Sequence, residues 1–189
     1  MIVAVYGSPR KGGNTDTLMD EFLKPLEETH EIKKFKLREQ KLKPCIECGG
    51  CDKTGVCVFD DDIWSIYRSI EQASGLVYSS PIFFASVSAQ IKTFIDRAQP
   101  FWARKYLLER ESAMPGIKGF FIAAGAINTQ RYYQNAKLIV QTHMDMMEME
   151  YQGDLFFPHV DKKGDIDAVS GALEAASNAG EAFGESLTR

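Results

Sequence analysis

The stretch 2-IVAVYGSPRKGGNT-15 decides the fold. Its first five residues, Ile2 to Tyr6, read as a short buried strand that stops at Gly7. From Asn14 onward, Leu18, Phe22 and Leu26 recur every fourth position, so the segment to Leu26 reads as a helix, with Asn14 or Thr15 suited to its N-cap. The loop between them, 7-GSPRKGGNT-15, sits at a helix N-terminus, where backbone N–H groups and the helix dipole converge on an anion. Ser8, Asn14 and Thr15 add neutral donors, and Arg10 and Lys11 add positive charge. Two common phosphate loops are excluded by spelling. The P-loop needs Gly-Lys-Ser/Thr, but Gly12 is followed by Gly13. The dinucleotide fingerprint needs G-x-G-x-x-G, but Pro9 stands two residues after Gly7. The second strand also ends in 36-KLRE-39, with no clear ribose-binding acid. A mononucleotide phosphate fits best; the plain alternative is a helix-capping loop with solubilising charges.

Outward from that stretch the chain keeps alternating strands and helices. Glu31 to Leu37 alternates polar and apolar residues, as a strand near a sheet edge does. Asp60-Asp61-Asp62 places acids at the start of a second helix, whose inner face carries Ile63, Ile66, Tyr67 and Ile70. Gly75 to Ser79 is a third strand and Ser88 to Arg97 the helix after it. Ile117 to Ala124 and Met149 to Leu155 are strands; Thr129 to Met147 and Asp165 to Leu187 are helices. The glycines of the last, Ala-rich helix read as weak points. Residues 98–116 are the one long excursion, and their aromatics and mixed charges suggest a lid or a subunit contact. Five β-α units predict an α/β fold, a flavodoxin-like three-layer sandwich with a five-stranded parallel sheet in the order 2-1-3-4-5 and helices on both faces. Residues 1–189 are expected to form a single domain, with a cysteine loop at 44–59.

Composition sets the class. Of 189 residues, 44% are hydrophobic and 25% charged, the balance of a globular chain with one buried core. The net charge of −4 argues against a nucleic-acid partner, which needs a basic face. No leader pattern precedes the first strand and no apolar run is long enough to span a bilayer. No membrane association and a cytoplasmic location are expected, where thiols stay reduced.

All four cysteines of the chain fall in 44-PCIECGGCDKTGVC-57. In a reducing compartment such a cluster points to metal or redox chemistry more than to a disulfide. Zinc ribbons pair two C-x2-4-C knuckles across a longer gap, whereas this spacing is C-x2-C-x2-C-x5-C. Ferredoxin runs open with the same C-x2-C-x2-C, and Gly55 gives the fourth thiol slack to reach back. One [4Fe–4S] cluster, a zinc ion and no metal at all remain open. Glu47, Asp52 and the acids at 60–62 weigh against an anionic cluster.

GSPRKGGNT after the first strand and 80-SPIFFASVSAQIKTFIDR-97 after the third resemble the NADPH-dependent FMN reductase and iron–sulfur flavoprotein group. The likeness runs from Met1 to about Gly125. The second motif is the more specific: a Pro-aromatic segment, a small-residue turn, then Lys-x-Phe-Ile-Asp-Arg. Phe84-Ala85-Ser86 stands where many relatives have a Trp or His and a Gly. The resemblance implies FMN as cofactor, with Ser8, Arg10, Asn14 and Thr15 at its phosphate. It places Pro81, Ile82, Phe83 and Phe84 along the ribityl chain and isoalloxazine, and Ala124, Gly125 and Ala126 behind the ring. Ordinary core packing is the plain reading of Phe83 and Phe84, but adjacent residues leaving a strand cannot both face one core. Lys92, Asp96 and Arg97 read as a surface face with a salt bridge, and no catalytic residue is assigned.

Iron–sulfur flavoproteins carry a compact cysteine motif of this spacing between the second strand and second helix. The resemblance therefore implies a [4Fe–4S] cluster on Cys45, Cys48, Cys51 and Cys57, in electron transfer with FMN. It also implies a homodimer or homotetramer, with the cluster of one chain near the flavin of another, and NAD(P)H or ferredoxin as electron donor. Two rival functions stand: a cluster-free NAD(P)H-dependent FMN or quinone reductase, and a non-catalytic FMN-binding redox sensor with zinc or free thiols. His30, His143 and His159 are scattered and read as ordinary residues. The methionines of 144-MDMMEMEY-151 read as packing. Trp64 reads as a helix-face residue, and Trp102 as a candidate for the flavin or an interface.

Overall fold

The computed structural model describes residues 1–110 and 114–188. Its strands are β1 (Ile2–Tyr6), β2 (Ile32–Lys36), β3 (Gly75–Pro81), β4 (Lys118–Ala124) and β5 (Glu150–Phe157). They pair in parallel in the order β2-β1-β3-β4-β5, the expected flavodoxin-like sheet. The helices are α1 (Asn14–Leu23), α2 (Gly50–Thr54), α3 (Ile63–Ile70), α4 (Ala89–Asp96), α5 (Gln99–Tyr106), α6 (Gln130–Met146) and α7 (Ala172–Leu187).

Side chains on a strand alternate between faces, so β1 serves two cores. Ile2, Ala4 and Tyr6 pack with Leu18 and Phe22 of α1 and Phe183 of α7. Val3 and Val5 face the opposite layer, with Ile66 of α3, Phe94 of α4 and Val140 of α6. This double burial is why β1, β3 and β4 are buried almost end to end, while β2 at the edge is only half-buried.

Several boundaries differ from expectation for local reasons. Pro25 has no N–H to donate, and α1 gives way to a 3-10 turn at Lys24–Leu26. The N-cap of α1 is Gly13, not Asn14 or Thr15. The last helix is broken: a 3-10 turn spans Asp165–Ala168, and Gly171, at φ +73°, redirects the chain before α7. Its later glycines are not weak points. A Cβ on Gly180 would lie 1.9 Å from the Phe22 carbonyl oxygen, so the α1–α7 crossing needs glycine there. The excursion at 98–116 opens as α5, with Pro100 in its first turn, and α5 contacts α2 in the cysteine segment. Residues 111–113 of that excursion lie outside the described residues.

Candidate functional site

The loop after β1 is held in shape from three sides. Ser8 Oγ accepts the Arg10 N–H (3.1 Å) and lies 3.2 Å from the Arg10 carbonyl, making a tight turn. Gly12, at φ +62°, donates its N–H to the Asp16 carboxylate (3.0 Å). Asp16 also pairs with Arg38 at 2.9 Å, and Arg38 donates to the Ser8 carbonyl at 3.2 Å. Burial pushes the Asp16 carboxyl up, against the opposing pull of Arg38. Neither Asp16 nor Arg38 stands out in the sequence as a partner of the other; the loop places them together.

The segment after β5 is strapped onto this loop. The Arg10 guanidinium donates to the Asp161 carbonyl (2.7 Å), and Asn14 Nδ2 to the Lys162 carbonyl (2.8 Å). Asn14 Oδ1 accepts the Gly164 N–H (2.9 Å) and the Ile166 N–H (3.4 Å). The Asn14 side chain thus faces the strap, and what it leaves for an anion is the N-terminus of α1. Thr15 is buried, and its Oγ1 has no hydrogen-bond partner. A buried hydroxyl without a partner is costly, and a phosphate oxygen is an acceptor that would satisfy it.

Two further loops complete the cavity. After β3, Phe83 and Ser86 exchange both backbone hydrogen bonds at 2.9 Å across Phe84 and Ala85. These central residues have φ of +46° and +61°, the pattern of a type I′ turn normally filled by Asn and Gly. Asn135 of α6 braces the turn through the Ala85 carbonyl (2.7 Å). Phe84 projects fully into solvent and Phe83 is 40% exposed, so neither joins a core. After β4, Gly125 donates to the Phe157 carbonyl (3.0 Å) and accepts from Val160 N–H (3.1 Å). A Cβ there would come within 3.2 Å of Ile82.

The result is one cavity of about 660 Å³ at the carboxyl ends of the strands, where open α/β sheets bind ligands. Ser8, Arg10, Asn14, Thr15, Pro81, Ile82, Phe83, Phe84, Ala124, Gly125 and Ala126 all line it. Ile127, Tyr132, Val160 and Asp161 line it too and escape the sequence reading. The one available signal for the last two is their place in a Pro/Gly/Asp-rich loop, 158-PHVDKKGD-165, after a strand end. The polar loop at one end and small or flat apolar walls elsewhere fit a flavin mononucleotide.

A second cavity, of about 570 Å³, is lined by Cys45, Cys48, Cys51 and Cys57 together. All four thiols are free. Gly49 and Gly55, at φ +67° and +71°, bracket the single helical turn α2 that carries Cys51. Arg104 of α5 donates to the Gly55 carbonyl (2.8 Å) and anchors that turn. Burial and then the charge of Asp52 push the Cys51 thiol up. Among the described residues, no three Cys, His, Asp or Glu side chains are spaced to hold a metal ion as they stand. The donor chemistry suits a cluster, which spreads its thiolates around a volume, and they face a single volume here.

The sequence reading of the Lys92/Asp96/Arg97 face holds for two residues and fails for the third. Lys92 and Asp96 form an exposed i,i+4 pair at 2.6 Å. Arg97 is 1% exposed, lines the cysteine cavity, and pairs with Asp61 at 2.6 and 3.0 Å. It terminates α4, so its side chain leaves the exposed stripe and enters the gap beneath the cysteine loop. Trp102 lines the same cavity, while Trp64 packs against the core beside Phe101.

A doubly wound parallel sheet with an anion-ready loop after β1 and a flat-walled cavity at the switch point defines a flavodoxin-like mononucleotide-binding protein. The family model described as NADPH-dependent FMN reductase matches residues 1–153, and the chain belongs to that family. An iron–sulfur flavoprotein of Archaeoglobus fulgidus is 39% identical over 106 residues, covering 56% of this chain and 48% of its own. A second from the same organism is 38% identical over 126 residues, 66% of this chain and 62% of its own. The chain thus spans about half the length of the first of these relatives and somewhat more of the second. An NAD(P)H:quinone oxidoreductase from Methanothermobacter marburgensis superposes with a TM-score of 0.70 at 14% identity, over 96% of this chain and 94% of that one, a likeness of fold.

Proposed function

We propose that this chain is an FMN-dependent oxidoreductase that couples FMN to a [4Fe–4S] cluster in electron transfer. The observation that carries it is the pair of cavities: one shaped for a flavin mononucleotide, the other lined by four free thiols. FMN exchanges electrons in pairs or singly and a cluster exchanges them singly, so together they join two-electron to one-electron chemistry. Helix α4 links the two places. At its start, Ser88 caps the helix through the Ile91 N–H (3.3 Å) and donates to the Gly7 carbonyl of the phosphate loop (2.6 Å). At its end, Asp96 and Arg97 line the cysteine cavity.

In the first cavity, the α1 N-terminus, Ser8, Arg10 and Thr15 hold the phosphate. Ile82 and Phe83 wall the isoalloxazine, and the backbone at Ala124 to Ala126 lets the ring approach closely. In the second, Cys45, Cys48, Cys51 and Cys57 hold the cluster. NAD(P)H or ferredoxin is the proposed donor. A homodimer or homotetramer is proposed because exposed apolar side chains rim both cavities: Phe83, Phe84 and Ile127 at one, Ile46, Val58 and Trp102 at the other. A cytoplasmic location fits the free thiols; among the described residues no helix is long and apolar enough to cross a membrane.

The open spacing of the thiols favours a second reading, a cluster-free NAD(P)H-dependent FMN or quinone reductase. An absorption spectrum with iron and sulfide analysis on anaerobically purified protein separates the two. Broad absorbance near 400 nm beneath the flavin bands, with about four irons per chain, is expected. A plain flavin spectrum without iron or sulfide selects the second reading, and stoichiometric zinc would point to a redox sensor.

A further inference from the structure

Among the fully buried side chains of the described residues, Arg97 is the largest, yet the core does not account for it. Its Nη1 donates to the Lys43 carbonyl (2.7 Å) and to Asp61 Oδ2 (2.6 Å), and its Nη2 to Asp61 Oδ1 (3.0 Å). Asp61 also accepts the Lys43 N–H (3.1 Å) and the Ile63 N–H at the start of α3 (3.3 Å). Lys43 and Asp61 flank the cysteine loop on its two sides. One guanidinium–carboxylate pair therefore ties the entrance of the loop to its exit, with the Phe59 ring 5.1 Å from the guanidinium.

A structural ion pair alone leaves two observations unexplained. The Arg97 Nε is buried without a hydrogen-bond partner, and Arg97 sits on the wall of the cavity that the four thiols share. Cys57 lines the same cavity. A buried charged donor left unpaired is costly, and here it stands beside the one set of groups that become anionic acceptors. The acids that weigh against an anionic site are also accounted for in part. Asp61 is neutralised by Arg97, and Asp62 is turned to the Lys41 N–H at 2.7 Å.

We infer that Arg97 is the positioning residue of the cysteine site: it clamps the neck of the loop so that the four thiols face one cavity, and offers its free Nε–H and charge to the sulfur bound there. The clamp is a claim about this chain alone. The second half rests on the cluster reading above.

The test uses the full chain carrying Arg97→Lys, which keeps the charge but loses the fork and Nε. Three readouts are taken: FMN content, iron and sulfide after anaerobic reconstitution, and backbone hydrogen exchange of the iron-free protein. FMN content is expected to stay at the wild-type level. Exchange across residues 41–62 is expected to rise at least tenfold while residues 8–15 are unchanged. Iron is expected to fall at least threefold, and any cluster that remains to show a more negative potential. Wild-type exchange across 41–62 overturns the clamp, and so does a loosening spread over the chain with FMN lost in parallel. Full iron at an unchanged potential overturns the sulfur contact. A wild-type protein that takes up no iron, with exchange still raised in the variant, overturns the cluster reading and leaves the clamp supported. If Arg97→Lys does not fold, Asp61→Asn, which keeps the shape, should show the same local loosening; wild-type exchange and iron in Asp61→Asn overturn the inference.

Discussion

Gly180 offers a case in which helix propensity and packing predict opposite signs. It lies inside α7, and Gly→Ala in a helix interior is worth about 1 kcal/mol of stabilisation by propensity alone. Packing opposes it. The added Cβ would stand 1.9 Å from the Phe22 carbonyl oxygen and 2.9 Å from its carbon. These are backbone atoms and cannot rotate away, so α1 and α7 must part by about 1.5 Å to restore ordinary contact. The Phe22, Phe120 and Phe183 rings, with centroids 4.8 to 6.0 Å apart, span that seam and would open with it. Overpacking costs about 1–3 kcal/mol, and the rigid obstacle puts this site at the upper end. Net destabilisation of about 1–2 kcal/mol is expected, a fall in Tm of about 2–8 °C for a domain of this size. Urea unfolding of the FMN-free chain, followed by far-ultraviolet circular dichroism, reads it as a lower midpoint at constant slope. Asn178→Ala, on the exposed face of the same helix, should instead gain a few tenths of a kcal/mol. If both substitutions stabilise, the packing account of the α1–α7 seam is wrong.

Four other outcomes are expected. Replacing Phe84-Ala85 by Asn-Gly relieves two left-handed residues at about 1–2 kcal/mol each, so Tm should rise while FMN retention weakens; equal or lower stability would count against strain in this turn. Burial lowers His143 from 6.5 to about 4, so the folded chain binds fewer protons than the unfolded chain between those values. Stability should therefore fall by about 3 kcal/mol as pH drops through that window, and His143→Phe should flatten the curve between pH 6.5 and 4. Asp61 acts lower: burial raises its pKa, the Arg97 bond and charge outweigh this, and its contribution is lost only as pH falls through a value below the ordinary carboxyl one. Ser8→Asp sets a carboxylate against the proposed place of the FMN phosphate; like charges at contact in a half-buried site repel by up to about 4 kcal/mol, and FMN titration should show at least tenfold weaker binding.

The sheet order was legible because each β-α unit announces itself in apolar runs and fourfold repeats, and parallel crossovers have one hand. Most cavity-lining residues were legible because they follow the ends of β1, β3 and β4, where open α/β sheets bind ligands, but Val160 and Asp161 after β5 were not. Residues whose roles depend on pairing across the fold were not. Arg97 continues an amphipathic stripe that is exposed at Lys92 and Asp96, and only the fold shows the chain turning it inward onto Asp61. Asn14 reads as a cap or phosphate donor, but its partners lie at Lys162, Gly164 and Ile166. Gly180 reads as a defect because the obstacle, a carbonyl of α1, carries no sequence signal at all.

The Asn14 strap has a consequence for synthesis. The loop after β1 emerges early from the ribosome, but Gly164, which fastens it, follows 150 residues later. At 5–20 residues per second this is a wait of about 8 to 30 s. During that interval the loop lacks both its strap and the α7 surface that supports α1. The first cavity is walled on all sides only once Val160 and Asp161 have docked against the loop, so the chain completes it near the end of synthesis.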